Sequence, residues 1–393
     1  MNAQAAGWIW QVAAWPRLDY SQAALAPAVS QARLEQGRLI GKAETVGAGD
    51  LSLAQRDLWT DEALATSAIE GEVLNVEAVR SSVARRLGVA SFSVAATQRN
   101  VEGLLDVMED AAANWNSDLT EERLRRWQAA LFPVGFASLR ALQTGRYRSH
   151  AEPMQIVSGP TGKQAVHYEA PPASAIRAEM DQFLDWFNRS RTPQADEYID
   201  GIVRAGLAHL WFESIHPFDD GNGRVGRAII DMALAQDAKR SYRLHGLSAE
   251  LQRRQQHYYE ALNQAQRSDG DVTPWLLWFV DTFRACCQSS ATLIDEAIER
   301  ARFWVQHKAV ALNERQRKAL NKLLEAGPGR FEGGMTARKY QSLTGATGIT
   351  ATRDLSALAS HGLLVRRGAG RSTYYDLAMP GWGWSPPQQK AAK

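Results

Sequence analysis

Apolar residues along this chain recur mostly at helical spacing. Over 21–46, Leu25, Val29, Ala32, Leu39 and Ile40 fall on one helical face. A second helix is predicted over 53–69, with Leu58, Ala65 and Ile69 inward. Gly71 then stands where a helix C-terminus accepts positive φ. The same period predicts helices over 76–87, 94–114, 120–131, 173–188 and 195–215. In the last of these Ile199, Ile202, Val203, Leu207, Leu210 and Trp211 form the apolar face. Helices over 226–236, 248–266 and 273–299 follow. The first twenty residues differ: Trp8-Ile9-Trp10 and Trp15-Pro16 read as a short extended element closed by proline.

The period changes between 145 and 172. Met154-Gln155-Ile156-Val157 and Ala165-Val166-His167-Tyr168 flank Ser158-Gly159-Pro160-Thr161-Gly162, which reads as two short strands around a turn. A boundary falls near 312–315. Beyond it come helices over 314–326, 336–343 and 347–361, then apolar 363–365, a basic glycine turn and Thr373-Tyr374-Tyr375. Three helices and a terminal hairpin describe a winged helix-turn-helix. The fold class expected is therefore mainly α: a Trp-rich helical region (1–50), a helical core (51–300) carrying the hairpin at 154–168, a winged helix-turn-helix (313–377) and a flexible tail (378–393) rich in Pro, Gln, Lys and Ala.

A chain of 393 residues, 45% hydrophobic, can bury a large core, and its formal charge of +2 announces neither a nucleic-acid nor a membrane partner. Cys286 and Cys287 are adjacent, a poor geometry for a disulfide, with no metal spacing around them. They read as helix interior in a reducing compartment. The N-terminus lacks a leader pattern and the apolar stretch 275–280 is far too short to span a bilayer, so the cytoplasm is expected and a membrane partner is not.

The densest chemistry runs from His216 to Arg227: His-Pro-Phe-Asp-Asp-Gly-Asn-Gly-Arg-Val-Gly-Arg. It follows one helix and opens another. Gly221 and Gly223 let the backbone turn its N–H groups inward, toward the positive end of the next helix. Arg224 and Arg227, three residues apart, share a helical face and reach one polyphosphate. Asp220 is a hard oxygen ligand suited to Mg²⁺, and His216 can take a proton near neutral pH. At about one residue in twenty per type, eight fixed positions match by chance below about 10⁻⁹ per site.

This stretch resembles the signature of the Fic family, H-P-F-x-[D/E]-G-N-G-R-x-x-R, at every specified position. The likeness extends over about 50–290. It includes Ala208-His209-Leu210-Trp211-Phe212-Glu213-Ser214-Ile215 before the motif and Ala228-Ile229-Ile230 after it. It continues in Tyr258-Tyr259-Glu260-Ala261-Leu262 and Gly270-Asp271-Val272-Thr273-Pro274-Trp275. Gly145-Arg146-Tyr147-Arg148 and Tyr168-Glu169-Ala170-Pro171-Pro172 match the family's flap region. The N-terminal Trp region and the C-terminal winged helix resemble a three-part Fic architecture.

The resemblance implies a protein adenylyltransferase, transferring AMP from ATP to a Tyr, Thr or Ser hydroxyl of a target protein. His216 would deprotonate that hydroxyl and Asp220 would hold Mg²⁺. Gly221, Asn222, Gly223, Arg224 and Arg227 would hold the phosphates, with Arg227 on the γ-phosphate. Phe218 would anchor the loop. The flap would dock an extended target segment by main-chain pairing around Ile156, Val157, Val166 and His167; the plain alternative is a surface hairpin. Tyr258 and Tyr259 are read either as adenine pocket or, for one of them, as helix core. Thr66-Ser67-Ala68-Ile69-Glu70-Gly71 resembles the family's inhibitory pattern, [S/T]-x-x-x-E-[G/N], which makes Glu70 an inhibitory carboxylate on the helix of about 53–70, against a plain glutamate beside a capping glycine.

From 313 to 377 the chain holds eleven Lys/Arg against five Asp/Glu, a net +6, with Arg353 on the recognition helix and Arg366, Arg367 and Arg371 on the wing. DNA binding, protein docking and homodimer formation all stay open for that domain. Two rival functions remain as well: removal of AMP by the same site, with Glu70 orienting water, and a DNA-binding regulator whose core senses nucleotide.

Overall fold

The computed structural model describes residues 7–46, 48–89, 98–132, 143–158, 165–192, 199–240 and 244–385. A 3₁₀ turn (Ile9–Gln11) precedes α1 (Gln22–Thr45), α2 (Ala48–Ile69), α3 (Val76–Arg86), α4 (Arg99–Ala113) and α5 (Glu121–Leu131). An antiparallel hairpin, β1 (Gln155–Ser158) with β2 (Ala165–Glu169), leads to α6 (Ile176–Arg189), α7 (Gly201–Ile215) and α8 (Asn222–Ala238). Then come α9 (Leu247–Arg253), α10 (Gln255–Gln266) and the long α11 (Thr273–Gln306). The chain ends with α12 (Glu314–Ala326), α13 (Ala337–Thr344), α14 (Gly348–Ser360) and the hairpin β3 (Leu364–Arg367) with β4 (Tyr374–Leu377). The turn expected at 159–162, the starts of the helices expected at 94 and 195, and the end of the tail lie outside the described residues.

The chain divides into two compact units, 1–293 and 294–393. In the first, α7 is the central helix, buried from Ile202 to Ile215 and capped at its start by Asp200, which accepts from the Ile202 N–H at 2.9 Å. Its length is nearly all apolar, the pattern of a helix surrounded by others rather than lying on a surface. α8 packs along it closely because residue 226 is glycine: a Cβ there would collide with Glu213 and His209 of α7. Arg33 of α1 binds both Asp200, before α7, and Asp237, near the end of α8, at 2.8 and 2.5 Å. That clamp fixes the two helices whose facing ends carry the His216–Arg227 loop.

The second unit has its own core, in which Leu320 and Leu324 of α12, Tyr340 of α13, Leu355 and Leu358 of α14 and Leu364 of β3 pack together. Buried Asp354 accepts from the Tyr340 hydroxyl at 2.9 Å and from Arg315 at 3.1 Å, which joins its three helices.

Three elements depart from the sequence pattern. Trp8–Trp10 enters a 3₁₀ turn rather than an extended segment. Its main chain bonds to itself (Gln11 N–H to Trp8 O, 2.8 Å) and the Gln11 side chain accepts from the Trp8 N–H. The helix expected over 248–266 breaks at Arg254, whose guanidinium binds Glu250 at 2.7 Å and Asp281 at 2.9 Å. And α8 starts at Asn222, not 226. Glycines read as loop can occupy a helix's first turn, and Gly221 supplies the left-handed residue (φ 87°) before it.

Candidate active site

The loop between α7 and α8 is built by two left-handed residues. His216 ends α7 at φ 51°, ψ 59°, its N–H still bonded to Phe212 O at 2.9 Å. For a residue with a Cβ that conformation costs about 1–2 kcal/mol, so its surroundings must hold it there. Phe218 is fully buried and stapled from both sides by Asn222, whose side chain accepts from the Phe218 N–H (2.9 Å) and donates to its carbonyl (2.8 Å). The Asn222 amide is thereby spent on closing the loop, which leaves its main-chain N–H for a ligand.

No side chain caps α8. The free N–H groups of its first turn open into a cleft of about 590 Å³, lined among others by Glu70, His216, Asp220, Gly221, Asn222, Gly223 and Arg227. Ile156, Val157, His167, Tyr258 and Tyr259 line the same cleft. The Glu70–Arg227 contact joins residues 157 apart in sequence.

Two carboxylates occupy the two arginines. Arg227, almost wholly buried, donates to the Thr66 hydroxyl at 2.7 Å, to the Thr66 carbonyl at 2.9 Å and to Glu70 Oε1 at 2.8 Å. Glu70 sits in the turn that ends α2, beside Gly223, where any Cβ would strike its carboxylate. Burial opposes the charge on Glu70, but Arg227, then Arg224 and His216, outweigh it and hold its pKa below the ordinary value. Two residues on, Glu72 takes Arg224 at 3.2 Å and is itself fixed by Asn100 at 3.0 Å. Arg224 also lies over the Phe132 ring, 5.0 Å from its centre.

The imidazole of His216 is 14% exposed. Burial, then the charge of Arg148, bring its pKa down to about 4, against the opposing pull of the Glu213 carbonyl and of Glu70. At neutral pH it is a neutral ring able to accept a proton. Its Nδ1 lies 3.7 Å from Glu213 Oε2. Glu213 itself is pushed up to about 8 by burial and by the charge of Glu70, Arg227 pulling the other way. Asp220, half-exposed, accepts from the Gly221 N–H at 2.6 Å and lies 4.0 Å from Arg224.

Tyr258 and Tyr259 divide. Tyr258 is buried, its ring over Trp278 and its hydroxyl 2.8 Å from His209 Nε2, whereas Tyr259 is 46% exposed and donates to the Ile69 carbonyl at 3.1 Å. In the hairpin, β1 is exposed throughout, and Ile156, Val157 and Val166 present apolar side chains to solvent. Arg267 donates to the Val166 and His167 carbonyls, which leaves the outer edge of β1 as the open one among the described residues. Trp8 stacks edge-on against Tyr168, and Trp10 donates to the Glu169 carbonyl at 2.7 Å, so the N-terminal turn backs the hairpin.

Sequence reasoning missed Thr66, Glu72, Glu213 and Arg148. Thr66 was visible as the first residue of the pattern that flagged Glu70. Glu72 had only its position beside Glu70 to mark it. Glu213 and Arg148 stand inside stretches that resemble the family, with nothing in composition or spacing to give them a task.

Residues 118–234 match the model of the Fic/DOC family, and residues 8–89 that of a domain of unknown function, DUF4172. The first match contains the hairpin and the whole His216–Arg227 loop; Glu70 and Glu72 fall in the second. A protein adenylyltransferase Fic of Nematostella vectensis is 28% identical over 240 residues, covering 59% of this chain and 49% of that protein. A uridine 5′-monophosphate transferase of Xanthomonas campestris pv. campestris is 37% identical over 65 residues, 16% of this chain and 12% of that one. This chain thus spans about half the length of the first relative and less of the second. The crystal structure of a Fic family protein from Desulfovibrio desulfuricans G20 superposes with a TM-score of 0.50 at 23% identity, covering 89% of this chain and 96% of that one. The fold is the mainly helical Fic type with a small β-hairpin.

Proposed function

We propose that the chain transfers AMP from ATP to a hydroxyl side chain of a target protein, and that Glu70 restrains it. One observation carries the reading: a neutral imidazole stands at the mouth of an uncapped helix N-terminus that also presents two arginines. That arrangement suits a proton acceptor placed beside a bound polyphosphate. His216 takes the proton of the incoming hydroxyl, whose oxygen bonds to the α-phosphorus in line as the bond to the bridging oxygen breaks and pyrophosphate leaves. The main-chain N–H groups of 222–224 and the arginines hold phosphate oxygens where charge develops, so positioning and electrostatics do most of the work.

Asp220 fits a magnesium site. It offers one half-exposed carboxylate at the cleft, and Mg²⁺ is usually held by one or two carboxylates together with substrate phosphates and water. When bound, the ion neutralises phosphate charge. The names of the relatives span adenylyl and uridylyl transfer. Choice of base is assigned to the wall of the cleft that Tyr259 and Asn263 line rather than to the phosphate loop. The open edge of β1 supports docking of an extended target segment by main-chain pairing. The test is whether the α-phosphate of ATP becomes bonded to protein, with AMP adducts identified by mass spectrometry.

For the second unit we propose a winged helix that binds DNA, with α14 as recognition helix and β3–β4 as wing. Arg353, Arg366 and Arg367 are exposed on these elements; the Arg371 side chain lies outside the described residues. If three arginines each neutralise one phosphate, log affinity should fall with log salt at a slope of about −2.7. Measured on the full chain with a labelled duplex, salt-insensitive binding or none would point instead to protein docking or a homodimer.

A further inference from the structure

We infer that Arg148 is a positioning residue that locks His216 in its left-handed turn and fastens that turn to the hairpin, so that base and docked target hydroxyl keep one register. The inference rests on the transfer reading above. Its basis is where the last carbonyls of α7 go. A helix C-terminus leaves its final carbonyls without helical partners; here Gln266 takes that of Glu213 at 3.3 Å, while Tyr168 and Arg148 take those from Ser214 onward. The Ser214 carbonyl accepts from the Tyr168 hydroxyl at 2.6 Å. Ile215 and His216 accept from the Arg148 guanidinium at 3.3 and 2.8 Å, and Pro217 accepts from the Arg148 main-chain N–H at 2.9 Å. The same guanidinium reaches the Pro171 carbonyl, just past β2, at 2.5 Å.

Arg148 is 2% exposed and makes no ion pair among the described residues, and its Nη1 is unpartnered. Burial pushes the Arg148 pKa down to about 10, with the charge of Asp219 opposing it only in part; a buried guanidinium with no paired carboxylate is expensive, and a stability role alone would be filled more cheaply by an apolar side chain. What the arginine adds is a rigid fork that reaches carbonyls on both the catalytic loop and the hairpin's exit. It also adds a charge. The groups acting on His216 are Arg148, which lowers its pKa, and Glu70 after α2 and the Glu213 carbonyl, which raise it, with the Glu213 carboxyl 3.7 Å away and Asp219 acting on Arg148; of these Arg148 does most, after burial, to keep the ring neutral.

Arg148→Lys and Arg148→Met separate the two contributions. The His216 imidazole is titrated by NMR in each folded protein, and transfer is measured as kcat and KM for ATP. In Arg148→Met the His216 pKa should rise from about 4 toward the ordinary 6.5. Arg148→Lys keeps the charge, so the pKa should stay low. Both should lose kcat by about 10²-fold, the cost of a small misplacement of a catalytic group, with KM for ATP unchanged. Should the methionine variant not fold, the lysine variant still decides, through its loss of kcat at unchanged pKa. Folded variants with full kcat would overturn the inference, and so would an unmoved His216 pKa in Arg148→Met. The titration needs no substrate, so a wild type without transfer activity would sink the transfer reading and leave Arg148 still open to judgement.

Discussion

Replacing His216 with Ala is expected to lower nucleotidyl transfer by about 10²–10⁴-fold, the usual worth of a general base, while leaving ATP binding nearly intact. The two effects separate because different groups carry them. The phosphates face the helix N-terminus and the arginines, and none of these depends on the imidazole for its place. Asn222 fixes the loop through Phe218, and Arg227 is held by Thr66 as well as by Glu70. Alanine also relieves no strain of consequence, since the left-handed turn persists at residue 216 under the carbonyl contacts of Arg148. Binding is read by calorimetry with ATP, and transfer by AMP incorporation at equal folded protein. Unchanged transfer would remove His216 from the mechanism.

Glu70→Gly should act in the opposite direction and raise automodification or target labelling by roughly 5–150-fold, the range of a coupling of about 1–3 kcal/mol. Glu70 holds the arginine assigned to the γ-phosphate and fills the space beside Gly223 where a phosphate would approach. On the restraint proposed above, ATP bound while it stays would be held in a posture unsuited to in-line attack. Its loss leaves Arg227 still anchored by Thr66, so the arginine is freed without being misplaced. Fold stability should fall measurably, because the Arg227 side chain is only 4% exposed and loses its carboxylate, with Thr66 left to hold it. Arg227→Ala removes the same pair and should not activate, since the nucleotide loses its ligand too. Wild type, Glu70→Gly, Arg227→Ala and the double variant are compared at saturating ATP. A Glu70→Gly protein no faster than wild type would leave Glu70 as an ordinary helix-end carboxylate.

Much of this site could be read in the chain because it is local. The His216–Arg227 loop is one stretch of sequence, its glycines and arginines are spaced by helix geometry, and each has a physical task at that spacing. Helical periods placed most helices within a few residues for the same reason. What stayed hidden depends on distant packing. Nothing in the sequence indicated that Glu72 would reach Arg224, or that Arg148 would gather the carbonyls behind His216. The break at Arg254, which lies at φ −109°, ψ 25° and reaches across to Asp281, is likewise unmarked by any apolar period. The turn at Trp8–Trp10 is fixed by the Gln11 side chain and by contacts with the distant hairpin, and neither shows in a run of aromatic residues.

The most direct test of the central claim uses ATP labelled at either the α- or the γ-phosphate, incubated with Glu70→Gly protein and cell extract. Label from the α-position should become stably bound to protein, with an equal release of pyrophosphate, and the His216→Ala, Glu70→Gly double variant should show none. Label bound to protein from the γ-position, or protein without label from either, would contradict nucleotidyl transfer at this site.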